Sequence, residues 1–261
     1  MKVCVIGNSH VAALREALGD GKRRGGRDVD FYALPGGGQP IIAAKGDRLI
    51  PVAPQRPVVT DVEGAETEGL RFAAYDALAL SACGLFAARN IFIERDPAIH
   101  PCGAFACPAW LEDAPEPAGG ERIVSKSAFD AIVEAYIRSH GSIRLAQLLA
   151  REFKGQVLIQ PWPAPSRALA SDSGWFLNQR HGSRGPLAWK AFFTAQRRAL
   201  ANISRELGAR FTLLDYPLPE TLDDGFMEPR WCIHDPWHAN ATYGELVWDQ
   251  IDAALAAIAT P

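Results

Sequence analysis

Short apolar runs alternate along this chain with longer amphipathic stretches, and that alternation leaves few folds open. Lys2–Ile6 leads through Gly7-Asn8-Ser9-His10 into a helical pattern of Val11, Leu14 and Leu18, which ends at Gly19 and Gly21. Val29–Leu34 stops at Pro35-Gly36-Gly37-Gly38, and Ala74–Leu80 at Ser81-Ala82-Cys83-Gly84. Gln156–Gln160 stops at Pro161-Trp162-Pro163-Ala164-Pro165, and Phe211–Leu214 at Asp215-Tyr216-Pro217. Between these runs, apolar residues recur at helical spacing over Ser127–Glu152, with a break at Gly141, over Leu187–Leu207 and over Gly244–Ile258. Strands alternating with helices predict an α/β fold, with a mostly parallel five-stranded sheet covered on both faces. In such sheets a site forms beyond the carboxyl ends of the strands. Those ends hold Gly7–His10, Gly36–Gly38, Ser81–Gly84 and Pro161–Ser166.

A chain of 261 residues fits one domain of this class. Two stretches, around 44–70 and 86–120, break the alternation and read as insertions, either lids and substrate walls or surface decoration. The formal net charge of -3 offers no clustered positive excess for nucleic acid, and Lys22-Arg23-Arg24 beside glycines reads as a solvated turn. No apolar run approaches the roughly 18 residues that cross a bilayer, so no membrane span is expected. The first apolar run, of about four residues, is shorter than the 7–15 of a signal-peptide core, so a cytoplasmic location is expected. Five sparse cysteines (Cys4, Cys83, Cys102, Cys107, Cys232) read as reduced thiols. Gly36–Gly38 lacks a following Gly-Lys-Ser/Thr, which argues against a phosphate cradle.

Ser9 is the leading candidate for chemistry. A serine between a first strand and a helix has its hydroxyl at the sheet edge, beside free backbone N–H groups that suit an oxyanion. Its other reading is a helix N-cap. The cluster His234-Asp235-Pro236-Trp237-His238-Ala239-Asn240 lies between the fifth strand and the last helix. A serine nucleophile needs a base, and the base needs an orienting partner. Asp235 and His238 are spaced for a carboxylate to reach one ring nitrogen while the other faces outward. The roles would be Ser9 nucleophile, His238 general base and Asp235 orienting group. A metal site on His234, Asp235 and His238 competes for the same residues, although Pro236 argues against both histidines on one helical face. His100, Cys102 and Cys107 invite a zinc reading but lack a second pair. His10 either lines the pocket or is an exposed first-turn residue. Arg89 and Glu94-Arg95-Asp96 either reach the pocket or are solvated. Trp162, Trp175, Phe176, Trp231 and Trp237 are core fillers or sugar- and acyl-contacting walls, with Trp237 the foremost wall candidate.

Gly7-Asn8-Ser9 after the first strand and Asp235-Pro236-Trp237-His238 before the last helix resemble the first and last blocks of the SGNH (GDSL-like) hydrolase superfamily. Asn240, Gly244 and the strand-then-proline segment Val157–Pro163 are similar to that family too. Gly7-Asn8-Ser9-His10-Val11-Ala12-Ala13-Leu14 resembles its Gly-Asp-Ser-His branch, which moves or removes acetyl groups on carbohydrates. The resemblance implies a flavodoxin-like α/β/α sandwich and a Ser9-His238-Asp235 triad without a cofactor. It also implies an oxyanion hole of the Ser9 N–H with that of Gly37 or Gly38, and a pocket bordered by Asn8, His10 and Trp237. Two features depart from the family. Asn8 replaces an aspartate, and the third-block asparagine is missing, with Leu85 or Phe86 at its place. Either Asn8, Ser81 or Asn90 substitutes for it, or catalysis is slow, or the site binds without turnover. The expected function is a serine esterase or acyltransferase acting on a small acyl ester, with a carbohydrate acetyl ester as the favoured substrate. The alternatives are a glycan- or acyl-carrier-binding protein without turnover, and a metal-dependent hydrolase.

Overall fold

A computed structural model describes residues 1–19, 21–34, 42–51, 59–83, 105–108 and 122–259. Five parallel strands form the centre: β1 (Lys2–Gly7), β2 (Arg27–Ala33), β3 (Ala77–Cys83), β4 (Gln156–Pro161) and β5 (Phe211–Leu213). Their spatial order is β2-β1-β3-β4-β5, the doubly wound order of flavodoxin-like sheets. Each falls within a few residues of the run expected from sequence. Two short pieces, Arg23–Arg24 and Val59–Thr60, pair antiparallel with β2, so among the described residues the sheet has seven strands where five were expected. Two-residue strands are too short to leave a periodic signal.

The longer helices are α1 (Val11–Leu18), α2 (Lys126–Ser139), α3 (Gly141–Glu152), α4 (Gly185–Leu207) and α5 (Ala241–Ala259). Strand alternation sorts them into two layers. Val3, Val5, Val29, Phe31, Ala79 and Leu158 face α1 and α5. Cys4, Ile6, Tyr32, Leu80, Val157 and Ile159 face α2, α3 and α4. The break expected at Gly141 falls one residue earlier: His140 is extended (φ -67, ψ 144), and its ring nitrogen accepts from the Ser142 N–H to cap α3.

The described parts of the stretch around 44–70 carry regular structure. Ile42–Lys45, Arg48–Pro51 and Leu70–Arg71 form a small antiparallel sheet, and Leu49 and Leu70 are buried in the core shared with α2–α4. Within 86–120, the described piece Phe105–Pro108 pairs with Arg122–Val124. Among the described residues no helix is long and apolar enough to cross a membrane.

One packing contact matters for the site. The helices after the first strand and at the chain's end, α1 and α5, touch through Gly244, where a Cβ would lie 2.2 Å from the Ala13 carbonyl oxygen. The Trp248 indole N–H donates to the Leu14 carbonyl at 2.8 Å beside it. Backbone approaches this close need glycine, and the two ends of the chain are locked together by it.

Candidate active site

β1 passes directly into α1. At Gly7 a Cβ would lie 2.8 Å from Val11 Cγ2 and 3.1 Å from Ser81 Cβ, so no side chain fits there. The Asn8 side-chain oxygen accepts from the His10 N–H at 3.1 Å and its carbonyl from Val11 at 3.0 Å, an Asx turn that bends the chain sharply. Ser9 sits exposed on this turn. No side chain caps α1, so the capping role that competed for Ser9 is not what its hydroxyl does.

The second component is the loop before α5. Cys232 and Ala239 form an isolated antiparallel bridge, the Ile233 N–H donates to the His238 carbonyl at 3.0 Å, and the Asn240 N–H to that of Trp231 at 2.9 Å. Asn240 closes the loop with its side chain. Its amide donates to the carbonyls of Arg230 (2.6 Å) and Cys232 (3.3 Å), while its oxygen accepts from Tyr243 N–H at 3.1 Å and so caps α5.

Inside this loop Asp235 accepts the N–H groups of Trp237 (2.8 Å) and His238 (2.9 Å) on one oxygen. Its other oxygen lies 2.8 Å from His238 Nδ1. His238 Nε2 lies 3.0 Å from Ser9 Oγ. Burial alone would raise the Asp235 carboxyl, but the two backbone N–H groups and the His238 ring outweigh it and hold the carboxyl below its usual value. An ionised Asp235 accepts the Nδ1 proton, which leaves Nε2 to accept from the serine hydroxyl. The Ser9 N–H has no partner among the described residues. The arrangement can move a proton from hydroxyl to imidazole and stabilise the resulting imidazolium.

The other expected site residues fall in different places. His10 is neither an open pocket wall nor an exposed first-turn residue. It is 4% exposed, and its ring packs against His238 (centroids 4.5 Å, planes 23° apart) and Trp162 (3.9 Å, 59°). Burial, then the neighbouring His238, pushes the His10 ring down to about 3, against a smaller upward pull from Asp235, so it is neutral near pH 7. Trp237 is half-buried and packs against the core on the α2–α4 side, lining an internal pocket with Trp162, Trp189 and Tyr216. Ser81 donates its hydroxyl proton to the buried Gln160 side-chain oxygen at 2.7 Å, which removes it as a substitute for the missing asparagine. Its neighbour Ala82 holds a left-handed φ of 58° at the end of β3, a strained conformation for a residue with a Cβ.

Trp175 packs edge-on against Trp189 and Phe226 and is core, not wall. His234 is exposed, and both His238 nitrogens are engaged by Asp235 and Ser9. Among the described residues no group of three His, Cys, Asp or Glu is placed to hold a metal. The zinc reading at His100 and Cys102, the oxyanion residues Gly37 and Gly38, and Arg89, Asn90 and Glu94–Asp96 lie outside the described residues.

No protein-family model matches the chain, and no curated protein is similar to it. Among solved structures it is similar to a carbohydrate esterase family 2 enzyme with a carbohydrate-binding domain from Corynascus thermopiles (Myceliophthora fergusii), at 14% identity and a TM-score of 0.39. That match covers 98% of this chain and 66% of the other, so the chain spans just under two thirds of that protein. A candidate acylhydrolase from Bacteroides fragilis is 11% identical with a TM-score of 0.47, over 98% of this chain and 87% of that one. A catalytic mutant of the acetylxylan esterase Axe2 from Geobacillus stearothermophilus is 10% identical with a TM-score of 0.40, over 96% and 91%.

Proposed function

We propose that this chain is a serine esterase or acyltransferase of the SGNH type that acts on a small acyl ester, foremost an acetyl ester of a carbohydrate. The observation that carries the reading is the unbroken run of contacts from Asp235 through the His238 ring to Ser9 Oγ, at 2.8 and 3.0 Å. Three residues from opposite ends of the chain meet in the geometry that general-base activation of a hydroxyl requires.

Ser9 Oγ attacks the ester carbonyl carbon while its proton passes to His238 Nε2. Asp235 holds the ring by Nδ1 and offsets the charge that develops on it. The carbonyl oxygen takes the negative charge and is stabilised by the Ser9 N–H, at the positive end of α1. The resemblance assigns a second N–H to Gly37 or Gly38. His238 then gives its proton to the departing alcohol, leaving Ser9 acylated. Water, or the hydroxyl of an acceptor sugar, repeats the sequence in reverse and frees the serine. Each bond made or broken is served by groups of this chain, with no step that calls for a cofactor.

Hydrolysis of p-nitrophenyl acetate tests the reading. The wild type is expected to turn over, and Ser9→Ala and His238→Ala each to abolish turnover above background. A wild type with no activity on any acyl ester, or variants as active as the wild type, would overturn it in favour of a binding protein on the same scaffold.

A further inference from the structure

The steps above leave one buried ring at the site unused. His10 directly follows Ser9, yet its side chain is turned inward. Its Nδ1 is sealed from solvent and has no hydrogen-bond partner among the described residues. The ring stacks on His238 (centroids 4.5 Å, planes 23° apart) and also meets Trp162, from the segment after β4, at a tilt of 59°. A buried ring nitrogen without a partner is costly, so the place of this ring needs a reason other than polar pairing at Nδ1.

We propose that His10 is a positioning residue: packed against Trp162, its ring forms a platform that holds the His238 imidazole in the plane that aims Nε2 at Ser9 Oγ. This rests on the esterase reading of Ser9 and His238. Asp235 ties His238 at Nδ1, but a ring held at one edge still tilts about that bond, because the χ2 torsion of histidine has a broad minimum. A flat surface against its face removes that freedom.

The platform also has to be uncharged. When His238 takes the serine proton it becomes a cation, and a second imidazolium stacked on it would oppose that step. A neutral ring does not, and its π face suits a cation. The titratable groups facing His10 are His238 and Asp235, both from the loop before α5. Burial is the main cause that keeps it neutral. Ring shape therefore matters more than the unpaired Nδ1.

Two variants of the full chain separate ring from bulk. His10→Phe keeps a flat ring, and kcat for p-nitrophenyl acetate is expected to stay within about threefold of wild type. His10→Leu keeps the bulk without the ring, and kcat is expected to fall about tenfold or more with KM within about twofold. A Leu variant as active as wild type, or a Phe variant that falls as far as Leu, would overturn the proposal.

A measurement on the wild type does not depend on the variants folding. Deuterium exchange at the His10 imidazole Cε1–H, followed by mass spectrometry from about pH 4 to 9, is expected to be slow and flat. Titration of His10 with a midpoint near the ordinary histidine value would overturn the buried, neutral platform. Absence of esterase activity would overturn the reading of the site instead. The two failures are distinct, since the exchange pattern does not require turnover.

Discussion

Gly244→Ala probes whether the joint between the chain's two ends sets the geometry of the site. The added Cβ would fall 2.2 Å from the Ala13 carbonyl oxygen, 2.7 Å from its carbon and 3.0 Å from Ala17 Cβ, whereas ordinary contact begins at 3.4 Å. Two of these three neighbours are backbone atoms and cannot rotate away, so α5 must retreat from α1 by roughly 1 Å. Replacing a helical glycine by alanine gains about 0.5–1 kcal/mol in backbone entropy, and overpacking a tight contact costs about 1–3 kcal/mol. The net is a loss of about 1 kcal/mol, or a Tm lower by about 2–4 °C. The effect on turnover should be larger. Ser9 stands at the amino end of α1, and α5 starts shortly after His238, so the same movement opens their 3.0 Å contact. A displacement of about 1 Å at reacting groups costs about 100-fold in rate. Thermal unfolding and kcat/KM for p-nitrophenyl acetate, measured on one preparation, read both numbers. A Gly244→Ala protein that melts and turns over like wild type would refute the reasoning.

Asp235→Asn keeps the shape but not the charge, and kcat/KM is expected to fall by about 100- to 10,000-fold. The same carboxyl carries a pH signature. Its value in the folded chain lies below the usual one, so its stabilisation is complete above the ordinary aspartate value and is lost as pH falls through the folded value. The Tm gap between wild type and Asp235→Asn should be widest above the ordinary aspartate range and narrow as pH falls below it. A gap that widens in acid would contradict that assignment. Asn240→Ala removes the α5 cap and two ties across the loop. It is expected to cost about 1–2 kcal/mol in urea unfolding and to lower activity with it; an unchanged midpoint would count against the loop's dependence on that side chain.

Much of this architecture was legible because its signals are local. The run Lys2–Ile6 and the turn residues after it mark β1 and its exit, and the apolar spacing of Leu187–Leu207 marks α4 almost to the residue. Ser9, Asp235 and His238 were legible for a different reason, since motif spacing fixes which side chains can meet once the sheet brings the ends together. The inward turn of His10 was not legible. First-turn residues usually face solvent, and what draws this one in is Trp162, more than 150 positions away and itself placed by the exit of β4. The engagement of Ser81 by Gln160 escaped for the same cause: it depends on two strands lying side by side. The small sheet of Ile42–Lys45, Arg48–Pro51 and Leu70–Arg71 was hidden because its strands are two to four residues long, so no period accumulates.

Covalent capture of the hydroxyl is the sharpest test of Ser9 as nucleophile. After treatment with a fluorophosphonate, intact-mass and peptide mass spectrometry should find a single adduct on the peptide that holds Ser9, missing from Ser9→Ala and from His238→Ala. Equal labelling of the Ser9→Ala protein, or a folded wild type that takes no label, would contradict it.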